Sequence, residues 1–208
     1  MPKPEGPVAH RSDYQTATIP HAQALAFVTA AHDAGGAANT SIYAHGLFRS
    51  ADQALVGVSL WMPPAAGAAK WVSRYTKGLV KPGEVLALSR LVVAEGEPKN
   101  ATGLFLGGST RLVVADARFW ALLTYADSWQ AHEGTVYKAT GWTDAGETDP
   151  TPVWTRNGVV VSSICAYGRK NGRRLTTTRS PADMVADGCT LEGHFTKRRF
   201  VKVLREAP

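Results

Sequence analysis

The chain has 208 residues, with 23 Lys and Arg against 17 Asp and Glu for a net charge of +6. That length favours one sizeable core, the composition is that of a soluble globular protein, and no apolar run approaches the ~20 residues that cross a bilayer. Two cysteines are too few for a disulfide framework or a Cys-rich zinc site, and the opening residues lack the apolar stretch of a secretory signal, so a cytoplasmic protein with reduced thiols is expected.

The charge is unevenly placed. Residues 1–167 carry 13 basic and 13 acidic side chains, whereas residues 168–208 carry 10 and 4. A neutral body with a basic C-terminal fifth sets up a local field that attracts polyanions, although a solvated surface that aids solubility has the same composition.

Residues 1–18, polar and Pro-rich, read as a loosely ordered lead-in, with 19–208 as a single domain. Residues 19–36 predict a helix, with Pro20 in its first turn, Leu25, Val28 and Ala31 on one face and Gly35-Gly36 at its end. "SIYAHGLFR" (41–49) and "ALVGVSLWM" (54–62) predict an antiparallel hairpin, and 65–78 a short helix. "EVLALSRLVV" (84–93) follows as a strand. Asn100 is a good N-cap for a helix through about Val114 with Ala101, Leu104, Phe105, Gly108 and Leu112 on one face. "FWALLTYAD" (119–127), "GTVYKATGW" (134–142), "GVVVSSICAY" (158–167) and "KRRFVKVL" (197–204) read as further strands. Asn157-Gly158 and Asn171-Gly172 read as tight turns. The order predicts an α+β fold with a mixed sheet, helices on its faces and a crossover over 84–127.

Arg90 shares strand periodicity with Leu86, Leu88 and Val92, which puts a guanidinium on a buried-looking face. It is either half of an internal ion pair or an anchor for a phosphate or carboxylate, which its planar fork suits. Asp127, at the C-terminal end of a strand, lies where ligands collect in sheets with crossovers, and is equally a turn residue. Tyr137 is either a packing residue or an acid. His32 and His132 are candidate bases or ligands, or surface histidines, and no local spacing resembles a metal motif. Trp129, Trp142 and Trp154 suit base stacking or packing.

The ordered set "LSRLVV", "PKNATGLFL", "TYAD" and "HEGTVYKATGW" resembles the Mom family of bacteriophage DNA-modification proteins, a divergent branch of the GNAT acyltransferase-like fold. The match is close from about Glu84 to Trp142 and continues weakly into "TKRRFVKVL". The resemblance implies a GNAT-like central mixed sheet flanked by helices, with extra C-terminal strands. It also implies transfer of a carbamoyl- or acyl-type group to the exocyclic amine of adenine in DNA, which protects phage DNA from host restriction. The family's functional arginine, aspartate and tyrosine fall on Arg90, Asp127 and Tyr137, with Ser89 beside the first. The nearest counterpart of the family's early His-Tyr pair is His32-Asp33, and Gly103 stands where many members have serine.

Asn100 and Gly103, at the helix start, are the candidates on the donor side. The glycine-patterned pyrophosphate loop of ordinary GNAT enzymes is replaced by "EGEPKNATG", so an acyl-CoA-type donor is an open expectation, as are a metal ion and a homodimer. On this reading Asp127 takes the proton of the amine, Tyr137 protonates the leaving group or orients the base, and Arg90 neutralises a donor phosphate or an oxyanion. The adenine of double-stranded DNA must be flipped out, with Trp129 or Trp142 to stack on it. Arg169, Lys170, Arg173, Arg174, Lys197, Arg198, Arg199 and Lys202 are the candidate phosphate contacts. The alternatives are a GNAT-like acyltransferase on tRNA or another amine, and a non-catalytic DNA-binding protein of the same fold.

Overall fold

The computed structural model describes residues 7–31, 41–130, 133–170 and 173–204. The chain divides into two units where the sequence reading has one domain: Met1–Ala126 with Gly134–Gly146 and Arg199–Pro208, and Asp127–Glu133 with Glu147–Arg198.

The first unit is built on a mixed sheet. The expected hairpin forms β2 (Tyr43–Arg49) and β3 (Leu55–Met62). Residues 14–18 fall inside the expected lead-in but form β1 (Tyr14–Thr18), antiparallel to β2 with Tyr14 opposite Arg49. Five residues of weak alternation are too few to stand out, and pairing to β2 supplies what the local pattern does not. β4 (Val85–Val93) runs antiparallel to β3, and α3 (Ala101–Ala115) then carries the chain over to β5 (Ala121–Asp127), parallel to β4. The full order is β1-β2-β3-β4-β5-β12-β6, with β6 at Thr143–Glu147 and β12 at Lys197–Val203.

Helices cover both faces. On one face α1 (His21–Ala31) sets Ala24 and Val28 against Val58, Leu60 and Val92. On the same face α2 (Ala66–Tyr75) sets Val72 against Val85, Ala121 and Leu123. On the other, Leu106 and Val113 of α3 meet Trp61, Leu86, Leu88 and Leu122. The buried stripe of α3 is Ala101, Phe105, Leu106, Gly108, Ser109, Thr110 and Val113, so Leu104 and Leu112 of the expected face lie at its margin. Gly108 is where β1 comes close, because a Cβ there would stand 2.4 Å from Thr16 Oγ1.

The segment "GTVYKATGW" is not a strand. Thr135–Ala139 form a short helix, α4, bracketed by Gly134 and Gly141, both at positive φ. Its valine, tyrosine and threonines mimic strand composition, but Gly134 turns the chain into a helical turn and the Thr140 hydroxyl donates back to Val136 O at 2.8 Å.

In the second unit, β7 (Thr151–Arg156) is the centre of a β11-β7-β8 sheet, with β8 at Val159–Val161 and β11 at Thr190–Phe195. Asn157 and Gly158, both at positive φ, make the expected tight turn between β7 and β8. The single strand expected over 158–167 is interrupted at Ser162-Ser163, and its second part is β9 (Ile164–Lys170), paired with β10 (Arg173–Thr178). Asn171-Gly172 lie outside the described residues. A short helix, α5 (Pro181–Ala186), starts with Ser180 accepting from Asp183 N, and Met184 packs on Trp154 and Cys189 in a small core. Trp154 is therefore a packing residue.

One buried polar network in the first unit has no counterpart in the sequence reading. His45 Nδ1 lies 2.7 Å from Ser109 Oγ, which also accepts from Trp61 Nε1 at 2.7 Å and stands 2.8 Å from Ser59 Oγ. Burial pushes the His45 imidazole down to about 4 from 6.5. The unfolded chain then takes a proton at this residue below about pH 6.5 and the folded chain only below about pH 4, so its contribution to stability is complete above that window and is lost as pH falls through it. Urea denaturation is expected to show a loss of about 2 kcal/mol from this group between pH 7 and pH 5, and His45→Asn should lack that share of the slope. Equal slopes in the two proteins count against the assignment.

Candidate active site

The site begins at an irregularity in β4. Along the β3–β4 ladder Met62 pairs with Ala87 and Trp61 with Leu88, but the next pair is Leu60 with Arg90. Ser89 is the extra residue of a β-bulge, and its hydroxyl donates to Leu60 O at 3.1 Å. Strict alternation places Arg90 with Leu86 and Leu88; the bulge moves it to the opposite face. Leu88 stays on the Trp61 face under α3, while Arg90 joins Leu60 and Val92 on the α1 side. The residue is half-buried, and desolvation lowers the affinity of its guanidinium for its proton. Its Nη1 donates to Ser89 O at 2.7 Å, so the charge rests on the carbonyl of the bulge itself.

The second feature is the seam between β4 and β5. Their parallel ladder comprises Val85 with Ala121, Leu86 with Leu122 and Ala87 with Leu123. One residue further along, a side chain takes over, as Thr124 Oγ1 donates to Leu88 O at 3.2 Å. Beyond that point no β4–β5 pair is recorded among the described residues, although β4 continues to Val93. The strands therefore part at the level of the bulge, with Arg90 toward one face of the sheet.

Tyr137 lies on the other face, with the α3-side cluster. It leans on Phe200 and Trp142, with ring centroids 5.1 and 5.8 Å away. Burial raises its phenol above the ordinary 10.0, and the Thr124 hydroxyl acts against that rise. The helix that carries it is held at both ends. Gly134 accommodates the Phe200 ring, which would lie 2.2 Å from a Cβ there, and Lys202 Nζ donates to Thr140 O at 2.7 Å at the C-terminus.

Other sequence candidates separate into engaged and available groups. Trp142 is buried at 4% exposure and stacked on Trp61, so its expected role as a platform for a base is corrected: its faces are already covered. Arg199 lies over the Trp71 ring at 4.3 Å, a cation–π contact with α2. Asn100 does not cap α3 with its side chain. Its amide instead accepts from Ala9 N at 2.9 Å and donates to Ala9 O at 2.7 Å. A Cβ at Gly103 would meet only Thr140 Cγ2, at 3.8 Å, so packing leaves room for a small side chain there. His32 and His132 lie outside the described residues.

In the second unit, Asp127 accepts from Trp129 N at 3.1 Å and is paired with Lys197 Nζ at 2.8 Å. It is thus both a turn residue and half of an ion pair. Trp129 is half-buried, edge-on to Phe195 with centroids 4.9 Å apart, and Arg198 is half-buried. Arg169 and Lys170 end β9 opposite Arg174 and Arg173 of β10.

The segment before α3 is fixed by its own polar contacts. Glu97 is held by the Tyr14 hydroxyl and Arg49 Nη2, which also draw its proton affinity down. Ala101 N donates to Pro98 O and Leu104 N to Asn100 O. Among the described residues no cluster of three or more His, Cys, Asp or Glu is placed to hold a metal, and no helix is long and apolar enough to cross a membrane.

The model of the Mom protein family matches residues 13–206. This chain belongs to the Mom family. No curated protein matches it. Among solved structures, this Mom protein is similar to NAA60 of Arabidopsis thaliana in complex with acetyl-CoA, with a TM-score of 0.55 at 9% identity over 92% of this chain and 98% of that one. It is also similar to the ribosomal-protein-S5-alanine acetyltransferase of Vibrio fischeri, with a TM-score of 0.52 at 9% identity over 94% and 96%. A GNAT family acetyltransferase from Elizabethkingia anophelis with acetyl-CoA bound gives 0.50 at 10% identity over 92% and 99%. The fold of this Mom protein is that of the GNAT acetyltransferases.

Gly134 offers a direct check on how Tyr137 is held. Gly134→Ala places a side chain at φ 70° and against the Phe200 ring, so a loss of ~2–4 kcal/mol is expected from strain and overpacking together. Calorimetry measures it, and an unchanged melting temperature would show that the helix shifts without cost.

Proposed function

We propose that this Mom protein transfers a carbamoyl- or acyl-type group to the exocyclic N6 amine of adenine in double-stranded DNA, and that the modification shields phage DNA from host restriction. The observation that carries the reading is the seam in a GNAT-type sheet. β4 and β5 part beside a bulge, with Arg90 toward one face and Tyr137 toward the other. A gap of this kind lets an activated carbonyl be approached by an amine from across the sheet.

The chemistry follows from the acceptor. The lone pair of an adenine amine is delocalised into the ring, so attack needs a proton acceptor and a stabilised oxyanion. The amine nitrogen bonds to the donor carbonyl carbon, and the bond to the leaving group breaks. Asp127 takes the amine proton, Tyr137 supplies one to the leaving group, and Arg90 offsets the negative charge on oxygen. Desolvation keeps the Tyr137 phenol neutral, with its proton in place. A donor in the acyl-CoA class would have to be held without a glycine loop, so the residue roles are assigned without reference to its phosphates.

The nucleic-acid side of the reading rests on charge placement. Lys170 pairs with Arg173 and Arg169 with Arg174 across the β9–β10 ladder. This register gathers four basic residues at one end of the ladder, a placement that suits phosphates. Trp129, half-buried beside Phe195, remains the aromatic residue suited to an unstacked base.

Expression in a bacterium followed by nucleoside mass spectrometry tests the reaction. A modified deoxyadenosine should appear with the wild-type chain and disappear with Arg90→Ala, Asp127→Asn and Tyr137→Phe variants that remain folded. The mass change in RNA instead of DNA selects the tRNA reading, and salt-sensitive DNA retention without any mass change selects the binding protein. In the binding assay, neutralising Arg169, Lys170, Arg173 and Arg174 together should flatten the log affinity–log salt plot by about 3 to 4.

A further inference from the structure

The segment that leads into β1 runs along one stripe of α3. Ala9 is fixed at one end by the Asn100 amide, which accepts from its N–H and donates to its carbonyl. At the other end Thr16 lies against Gly108, where a Cβ would stand 2.4 Å from the threonine Oγ1. Asn100, Leu104, Gly108 and Leu112 recur at four-residue spacing, so the two anchor points are about 12 Å apart along the helix axis. Beside this segment a cavity of about 280 Å³ opens, with Leu47, Leu104 and Leu112 as its apolar lining and Arg11 and Arg111 as its charge. The cavity is why Leu104 and Leu112, core residues by period, stay only half-buried. Arg111 lies back along the helix, its Nη1 3.7 Å from where a Cβ at Gly107 would stand.

We propose that this cavity binds a small organic phosphate monoester of nucleoside-monophosphate size, its phosphate held by Arg11 and Arg111 and its body set on the leucines. Arg49, Arg118 and Arg179 are each paired with a carboxylate. For the side chains of Arg11 and Arg111 no ion pair or hydrogen bond is recorded among the described residues. Two planar forks suit the oxygens of a phosphate. A monoester carries a charge of about −1.5 to −2 at neutral pH, which matches two guanidiniums better than a carboxylate or a backbone diester does. The volume is at the small end of ligand cavities, which run from about 300 to 1,000 Å³, so it suits a mononucleotide better than a coenzyme A. Gln15 and Thr16 line the same cavity and are its further hydrogen-bonding groups, whereas the Tyr14 hydroxyl is committed to Glu97. The cavity is separate from the position of Arg90. It lies on the α3 side at the β1 edge of the sheet, and Arg90 is on the α1 side of β4, with β2 and β3 between the two strands.

Titration calorimetry of the full chain with adenosine monophosphate tests the site. One molecule should bind per chain, and Arg11→Ala and Arg111→Ala should each weaken binding about ten- to a hundredfold. Adenosine, which lacks the phosphate, should bind the wild-type chain no better than adenosine monophosphate binds the double variant. Leu104→Trp fills the apolar side and keeps both guanidiniums, and should also remove binding. Arg90→Ala, on the opposite face of the sheet, should leave it unchanged. Both cavity arginines are exposed, so their replacement should leave the melting temperature in place. If Arg111→Ala does not fold, Arg111→Lys serves instead, since it keeps the charge, lacks the fork and should still weaken binding. No heat of binding at millimolar ligand overturns the proposal, as does equal affinity in the double variant. Loss of binding in Arg90→Ala places the nucleotide at the other site and overturns it too. A DNA duplex that displaces adenosine monophosphate, and binds the double variant more weakly, assigns the two arginines to a nucleic-acid backbone and overturns the small-ligand reading.

Discussion

The extra residue at Ser89 is the constraint on which the candidate site depends. A sheet strand presents alternate residues to opposite faces, and a single inserted residue inverts that order for everything that follows. In β4 the inversion leaves Leu86 and Leu88 in the core under α3 and turns Arg90 to the α1 side. The burial of a guanidinium is thereby made tolerable, because the bulge supplies a carbonyl, Ser89 O, within 2.7 Å of it. Near the same level the parallel partner strand departs, and the exchange of a backbone ladder for one side-chain bond at Thr124 marks where the opening starts.

Around this point the first unit commits many of its polar groups to holding elements in place. Lys202 holds the end of α4, Asn100 holds the Ala9 segment, and Arg49 with Tyr14 holds Glu97. Three side chains that look like ligand contacts in a linear reading, Asn100, Arg199 and Trp142, make architectural contacts. Trp142 and Arg199 do their work by aromatic packing, with Trp61 and Trp71 as partners. The second unit organises its own small core on Trp154, Met184 and Cys189 and carries the opposed basic pairs of β9 and β10.

Much of the fold was legible in the chain. The hairpin at 41–62, the helix after Asn100, the strand ending in Asp127 and the final strand at 197–203 all announce themselves by period and by flanking turn residues. What misled was composition without context. Val136, Tyr137 and Thr140 have strand character, but two positive-φ glycines and the Phe200 ring impose a helical turn. β1 was missed because five residues acquire strand structure only through the partner they pair with. The His45–Ser109–Ser59–Trp61 network joins three separate elements, and no local pattern links residues 45, 59, 61 and 109.

The sequence by itself pointed to Arg90, Asp127 and Tyr137 as the candidate residues, because they sit in an ordered motif set, and it determined the class of fold, because apolar period is a local property of the chain. Which face each residue occupies was decided only by tertiary structure. A bulge is defined by the strand opposite and not by the strand that contains it, so the turning of Arg90 away from Leu88 cannot be read from β4 alone.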